Sequence, residues 1–172
     1  MESWDDVGPE LPGLARRAVA AELSGHALDT LDRGPAAPVF VTIRCADGAL
    51  RGCMGTLAAA EAHVTREVAR NAVLAATRDP RFPPVTGAEL GELSFEVSVL
   101  LPEEAVPGLE QLDPARFGVV VRDAAGRRGV LLPEVPGVES AAQQVEIARH
   151  KAGIPDGAVA QLTRFAVRKY RE

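Results

Sequence analysis

The alternation of apolar and polar side chains is clearest over residues 93–101, where every second residue is apolar and Ser94, Glu96 and Ser98 lie between. A period of two predicts a strand that buries one face, so Glu96 projects from the face opposite the core. Similar patterns predict further strands at 39–45, 117–122, 128–132 and 162–170. The strands at 117–122 and 128–132 are separated by a short Gly-containing segment and predict a β-hairpin.

Apolar residues spaced by three and four positions predict helices over about 10–31, 63–78 and 141–152. Ser24-Gly25 weakens the middle of the first helix. In the second helix, Glu67 and Asn71 are predicted to face water. Ser140 is a suitable N-cap for the third.

Hairpins dominate the predicted elements, and no regular strand–helix–strand rhythm appears. This favours an α+β fold with a largely antiparallel sheet and flanking helices. The length of 172 residues suits one domain, which we place at 10–172. Residues 1–9 are expected to form a flexible leader.

A first hairpin joins the strand at 39–45 to a strand that starts at Leu50, across Asp47-Gly48. Asp-Gly between two apolar runs is typical of a two-residue turn. That turn pairs Arg44 with Arg51 and Thr42 with Cys53. The predicted core face comprises Val39, Val41, Ile43, Cys45, Leu50 and Met54.

The opposite face of this hairpin carries the candidate chemistry. Arg44 directly opposite Arg51 is a destabilising like-charge pair that a bound anion relieves. Cations beside Cys53 favour its thiolate, which is the nucleophilic form. Gly52 and Gly55 flank Cys53 and let the backbone turn or approach a ligand closely. The alternative is an inert, packed thiol beside ordinary surface arginines.

The segment 77–84 contains three prolines in five positions, which bar a helix. It holds Asp79 and Arg81 on a stiff scaffold, with Phe82 as a possible anchor. It is either a functional loop or only a stiff connection. Glu96 is a natural partner for Arg44 or Arg51 if its strand neighbours the hairpin.

Composition narrows the classes of function. The formal net charge of -5 argues against nucleic-acid binding through a broad basic surface. The amino-terminal segment has no apolar region typical of a secretory signal, and no apolar run reaches the roughly 18 residues of a membrane span. We therefore expect a cytosolic protein with reduced thiols. Two Cys and three His in no metal-ligand spacing predict neither structural zinc nor a cofactor.

Several segments occur in a familiar order: LRGCMGT at 50–56, RDPRFPP at 78–84, LSFEVSVL at 93–100, RRGVLLPEV at 127–135 and HKAGI at 150–154. With them the chain, from about Leu11 to Tyr170, resembles the AMMECR family, and within it the prokaryotic branch called AmmeMemoRadiSam system protein A. Met54 stands where relatives usually have Ile. The segment after Val135 is shorter than in many relatives.

The resemblance implies a larger and a smaller subdomain with a cleft between them, near the LRGCxG segment. It also implies genetic association with a Memo-like protein and a radical SAM enzyme, but no activity. One hypothesis is an enzyme or enzyme component that uses Cys53 as nucleophile or covalent carrier. The other is a non-catalytic binding or scaffold module for a partner protein or small anion. The binding candidates are Arg44, Arg51, Gly52, Gly55, Thr56, Asp79, Arg81 and Glu96.

Overall fold

The computed structural model describes residues 3–29 and 32–172 of the chain. They divide into a larger unit, residues 1–100 with 168–172, and a smaller unit, residues 101–167. The first two residues of the expected leader, and Leu31 at the predicted end of the first helix, lie outside the described residues.

The larger unit combines helices with an antiparallel sheet. Its helices are α1 (Trp4–Val7), α2 (Leu11–Ser24) and α3 (Val64–Thr77), with 3-10 turns at Gly8–Glu10 and Leu90–Glu92. Its strands are β1 (Val39–Arg44), β2 (Leu50–Gly55) and β3 (Ser94–Leu100), in the order β2–β1–β3. The last residues of the chain, 168–172, run beside β3, where Glu172 donates its N–H to Phe95 O at 3.3 Å.

The core of the larger unit lies between the sheet and the helices α2 and α3. Val39, Val41 and Ile43 of β1 are fully buried and belong to one cluster with apolar residues of both helices. Cys45 and Met54 are partly buried against the same cluster. For these five residues the predicted core face is therefore the face that the helices cover. Leu50, the sixth predicted member, is partly exposed and lies outside this cluster.

The smaller unit contains β4 (Glu104–Val106), β5 (Phe117–Asp123), β6 (Arg128–Leu131), α4 (Ala141–Lys151) and the first part of β7 (Ala160–Arg171). β5 pairs with β6 and β7, and β4 pairs with β7, all antiparallel. Ser140 caps α4 as predicted, since its hydroxyl accepts from Gln143 N at 3.2 Å. The strand β4 was not anticipated, because three residues are too few to show an alternating pattern.

The segment predicted as a flexible leader is ordered over residues 3–9. It forms α1 and the start of the following 3-10 turn, and Val7 is fully buried. Tyr170 donates its hydroxyl to Trp4 O at 3.2 Å, which ties α1 to the end of the chain. The segment packs because the apolar side chains of Trp4 and Val7 both contact the core of the larger unit.

Helix α2 ends at Ser24, well before the predicted end. Gly25 has a φ of 69°, in the left-handed region, and His26 N bonds to Ala21 O at 2.9 Å. This is the usual way in which glycine terminates a helix. Ser24-Gly25 therefore stops the helix rather than weakening its middle.

The architecture confirms an α+β fold with largely antiparallel strands and flanking helices. Among the described residues, no helix combines the length and the apolarity that crossing a bilayer requires.

Candidate functional site

The hairpin of β1 and β2 closes with a three-residue loop rather than the predicted two-residue turn. Gly48 N bonds to Cys45 O at 2.9 Å, Gly48 has a φ of 85°, and Cys45 N bonds to Ala49 O at 2.9 Å. This combination is a common three-residue hairpin loop. It moves the pairing by one position, so that Arg44 lies opposite Leu50.

A β-bulge at Arg51 restores the predicted register beyond the loop. Ile43 pairs with Gly52 and Thr42 pairs with Cys53, as predicted, because Arg51 is the extra residue on β2. The predicted opposition of Arg44 and Arg51 is therefore wrong, and no like-charge pair is created there.

Arg51 makes an ion pair instead. Its side chain is 11% exposed, and its Nε lies 2.9 Å from Glu89 Oε1. Arg51 and Thr86 donate to Glu89, and these hydrogen bonds lower the pKa of Glu89 to about 2. Arg44 is exposed and donates to Gly48 O at 3.2 Å.

Cys53 lies in a row of polar side chains that crosses three strands. Its Sγ is 3.4 Å from Thr42 Oγ1, and Thr42 pairs in turn with Glu96 of β3. The row occupies the sheet face opposite Val39, Val41 and Ile43. Neither Cys53 nor Cys45 forms a disulfide with a described residue, and both residues are partly exposed.

The backbone of Cys53 is held on both sides by the loop that follows α3. Cys53 N donates to Asp79 Oδ2 at 2.9 Å, and Arg81 Nη2 donates to Cys53 O at 3.5 Å. Asp79 is 4% exposed, and hydrogen bonds from Arg81 and the Cys53 N–H keep its pKa well below the usual range. Because Asp79 occupies the Cys53 N–H, this group is not available to bind an oxyanion.

The proline-rich loop is thus fastened to β2 by several contacts. Arg51 of β2 donates to Pro83 O at 2.9 Å, and within the loop Arg81 donates to Asp79 at 2.7 Å. Arg81 stacks over Phe82, with 5.5 Å between the guanidinium carbon and the ring centroid. The segments 50–56 and 78–84, which are separate in the sequence, therefore contact each other in the fold.

The glycines beside Cys53 serve packing. A Cβ on Gly52 would lie 2.3 Å from Ala75 O in α3, and a Cβ on Gly55 would lie 2.3 Å from the Phe40 ring. Neither glycine is among the residues with positive φ. Their predicted part in ligand approach finds no counterpart, since a helix and a side chain occupy the space.

Glu96 has a different partner from the two that were predicted. It accepts from Arg171 Nε near the end of the chain, not from Arg44 or Arg51. It does share the face of Thr42 and Cys53, as strand alternation required. Sequence reasoning missed Arg171 because nothing local indicates which strand lies beside β3.

A buried polar network supports the end of β2. Glu67 is fully buried and accepts from Thr56 Oγ1 and, at 2.8 Å each, from Ala60 N and Glu61 N. Asn71 is 1% exposed and donates to Val39 O at 3.1 Å. The prediction that Glu67 and Asn71 face water is therefore wrong. Thr56 takes part in this structural network.

Among the described residues, no hydrogen bond joins a histidine to the Cys53 sulfur. His63 precedes α3 as its N-cap, and its Nδ1 lies 3.1 Å from Gly34 O. In the described part of the chain, no three His, Cys, Asp or Glu side chains converge as a metal site.

The chain is similar to a known protein family and to individual proteins of other organisms. The sequence model of the AMMECR1 family matches residues 12–171. A protein of Thermotoga maritima is 43% identical over 136 residues, which are 78% of this chain and 78% of that protein. A protein of Clostridium acetobutylicum is 38% identical over 135 residues, which are 78% of this chain but only 28% of that protein.

A solved structure shares the fold. The crystal structure of the uncharacterized protein PH0010 from Pyrococcus horikoshii aligns with a TM-score of 0.79 at 29% identity. The alignment covers 96% of this chain and 91% of that one.

Proposed function

Because the chain belongs to the AMMECR1 family, we propose that it is an enzyme component whose working group is the Cys53 thiol, acting with a Memo-like protein and a radical SAM enzyme. The observation that carries the proposal is the row of Cys53, Thr42 and Glu96 on one sheet face, with Thr42 Oγ1 3.4 Å from Cys53 Sγ.

The thiol would serve as a transient covalent carrier. The S–H proton leaves to water, sulfur forms a bond to an electrophilic carbon of the substrate, and the leaving group departs with its electron pair. A second nucleophile then displaces the thiolate and restores the protein. The Thr42 hydroxyl lies 3.4 Å from the sulfur, within hydrogen-bonding distance of the reacting atom.

The contacts of Asp79 and Arg81 with the Cys53 backbone support this role. They hold the residue at its N–H and at its C=O, and Asp79 is almost completely buried. A reactive group is effective when neighbouring residues fix its position.

The partners come from the family resemblance. The matched segment makes up 28% of the Clostridium acetobutylicum relative, so a related module is part of a much longer chain there. This supports a component that acts together with other proteins. The cytosol, where thiols stay reduced, is the compartment that suits a thiol carrier.

The second candidate is a non-catalytic module that binds a partner protein or small anion. It is favoured by the ion pairs of Arg51, two residues before Cys53 on β2, and of Arg81, which contacts Cys53 O. Arg51 pairs with Glu89 and Arg81 pairs with Asp79, so neither cation is left to activate the thiol. In this case Cys53 is a packed residue of a rigid surface.

Thiol reactivity separates the two candidates. We would measure the rate of alkylation by iodoacetamide against pH for the wild type and for the Cys45→Ser and Cys53→Ser variants. If Cys53 is a covalent carrier, it must react in the folded protein, and Cys53→Ser must abolish that reaction. If Cys53 reacts only in denaturant, the binding module is the better account.

The partner proposal has its own test. The wild type and Cys53→Ser are each mixed with purified Memo-like protein and radical SAM enzyme, and complexes are separated by size. We expect a complex with both forms, because the sulfur is needed for turnover and not for assembly. Failure of the wild type to bind either protein would contradict the proposal.

A further inference from the structure

A cavity of about 340 Å³ opens at the sheet of the larger unit, next to the row that contains Cys53. It is lined by side chains of β1, β3 and the final residues of the chain: Arg44, Ser94, Glu96, Lys169, Arg171 and Glu172. Phe95 completes the lining, which therefore has three cationic and two acidic residues.

The two acidic residues of the lining are each matched by an arginine. Glu96 accepts from Arg171, and Glu172 Oε2 lies 2.7 Å from Arg16 Nη2. Their negative charge is therefore already compensated. Arg44, in contrast, has no carboxylate within ion-pair distance among residues 3–29 and 32–172, and donates only to Gly48 O.

The cavity lies within reach of Cys53. Arg44 pairs with Ser94, two residues along β1 from the Thr42 that contacts Cys53 Sγ. Glu96, which lines the cavity, is two inter-strand spacings from Cys53 across the sheet, roughly 10 Å. A molecule that occupies the cavity and reaches the thiol must therefore span about 10 Å.

We propose that this cavity binds the carboxylate or phosphate group of a small-molecule substrate through Arg44, and presents the other end of that molecule to Cys53. Guanidinium groups bind carboxylate and phosphate through paired hydrogen bonds. The substrate class is an anionic metabolite with about 10 Å between its charged group and its electrophilic carbon. The position of the reacting end rests on the proposed function of Cys53.

The test is affinity labelling of Cys53 in a Cys45→Ser background. ε-Maleimidocaproate carries a carboxylate at the end of a five-carbon chain, and N-hexylmaleimide is a neutral reagent of similar length. We expect the charged reagent to react about tenfold faster, as attraction by a charged cavity produces. Maleimidoacetate, which is too short to span the distance, should show no such advantage.

Two matched variants test whether Arg44 causes the faster reaction of the charged reagent. Arg44→Gln should abolish the preference for ε-maleimidocaproate, whereas Arg70→Gln should retain it. Arg70 is exposed on α3, on the other side of the sheet, and its loss changes the net charge equally. Inorganic phosphate and succinate are added separately as competitors, and the one that slows only the charged reagent identifies the anion.

The outcomes separate this inference from the proposed function. If Cys53 reacts equally with both reagents and Arg44→Gln changes nothing, the anion site is overturned while the carrier stands. If Cys53 reacts with neither reagent, the carrier fails, and titration of the amide resonances of Ser94 and Lys169 with phosphate decides the site. Saturable shifts that Arg44→Gln removes would support it, and their absence would overturn it.

Discussion

At the scale of single residues, Asp79 is the group that positions Cys53. Its carboxylate is nearly inaccessible and accepts from Cys53 N at 2.9 Å, from Arg81 N and Nε at 3.0 Å, and from Arg81 Nη2 at 2.7 Å. All of these N–H groups point at the carboxylate of Asp79. A neutral amide of the same shape cannot accept from all of them, because half of its polar end is itself a donor.

We therefore predict that Asp79→Asn destabilises the protein by about 2–3 kcal/mol, since hydrogen bonds to a buried charge are lost. Urea unfolding measures this loss. The matched control is Asp47→Asn, in the exposed hairpin loop, where the side chain accepts from Ala49 N at 2.9 Å. Asn suits such turns, so the control should stay within about 0.5 kcal/mol of the wild type. Equal stability of both variants would refute the role of Asp79.

Gly52 carries a second prediction at this scale. An added Cβ would lie 2.3 Å from Ala75 O, so Gly52→Ala must push β2 away from α3. We expect a loss of about 2 kcal/mol or more, as for other overpacked sites. Gly91→Ala is the control, because nothing lies within 4 Å of its added Cβ. Thermal denaturation of Gly52→Ala and Gly91→Ala checks this. Equal melting temperatures of the two variants would contradict the prediction, because β2 and α3 could then move apart with no loss of stability.

At the scale of elements, periodicity predicted the major strands and helices, and the differences have local causes. The hairpin loop was one residue longer than its Asp-Gly suggested, and the bulge at Arg51 compensated for it. The pairing of Thr42 with Cys53 was therefore right although the turn was wrong. A bulge cannot be read from alternation, because the extra residue only becomes visible against its partner strand.

The buried network of α3 could have been predicted. Val64, Glu67, Asn71 and Ala75 are spaced by three and four positions, which places them on one buried stripe of the helix. The expectation of solvent exposure followed from their polarity alone. What sequence cannot supply is the set of donors that satisfies Glu67, because Ala60 N and Glu61 N belong to an irregular segment.

The loop between α3 and β3 should respond to acid. The pKa of Glu89 is lowered to about 2, from an unfolded value near 4.3, by hydrogen bonds from Arg51 and Thr86. Its contribution to stability is therefore complete above about pH 5 and is lost as the pH falls towards 2. Asp79 acts in the same direction, because its pKa is also lowered.

The difference in unfolding free energy between the wild type and Glu89→Gln isolates the contribution of Glu89. We expect this difference to be largest above about pH 5 and to shrink as the pH approaches 2. Urea unfolding at a series of pH values measures it. A difference that stays constant across this range would contradict the assignment of the low pKa to Glu89.

At the scale of the whole molecule, the two units differ in how the chain builds them. The smaller unit is one continuous segment, whereas the larger unit is completed only when residues 168–172 return to it. Those residues bring Tyr170, which bonds to Trp4 O, and Glu172, which pairs with Arg16. Leu101 N donates to Ala166 O at 2.9 Å, so the two ends of the inserted segment lie one strand spacing apart.

This connectivity predicts that the larger unit can be closed without the smaller one. A chain in which a short Gly/Asn turn replaces residues 101–167 should fold, because the turn bridges neighbouring strand positions. The segment 1–100 alone should be less stable, because it lacks Tyr170 and Glu172 and leaves Arg16 without its carboxylate. Amide NMR spectra and thermal melts of the two chains test this. If the segment 1–100 melts at the same temperature as the closed chain, the returning residues contribute nothing to the fold of the larger unit.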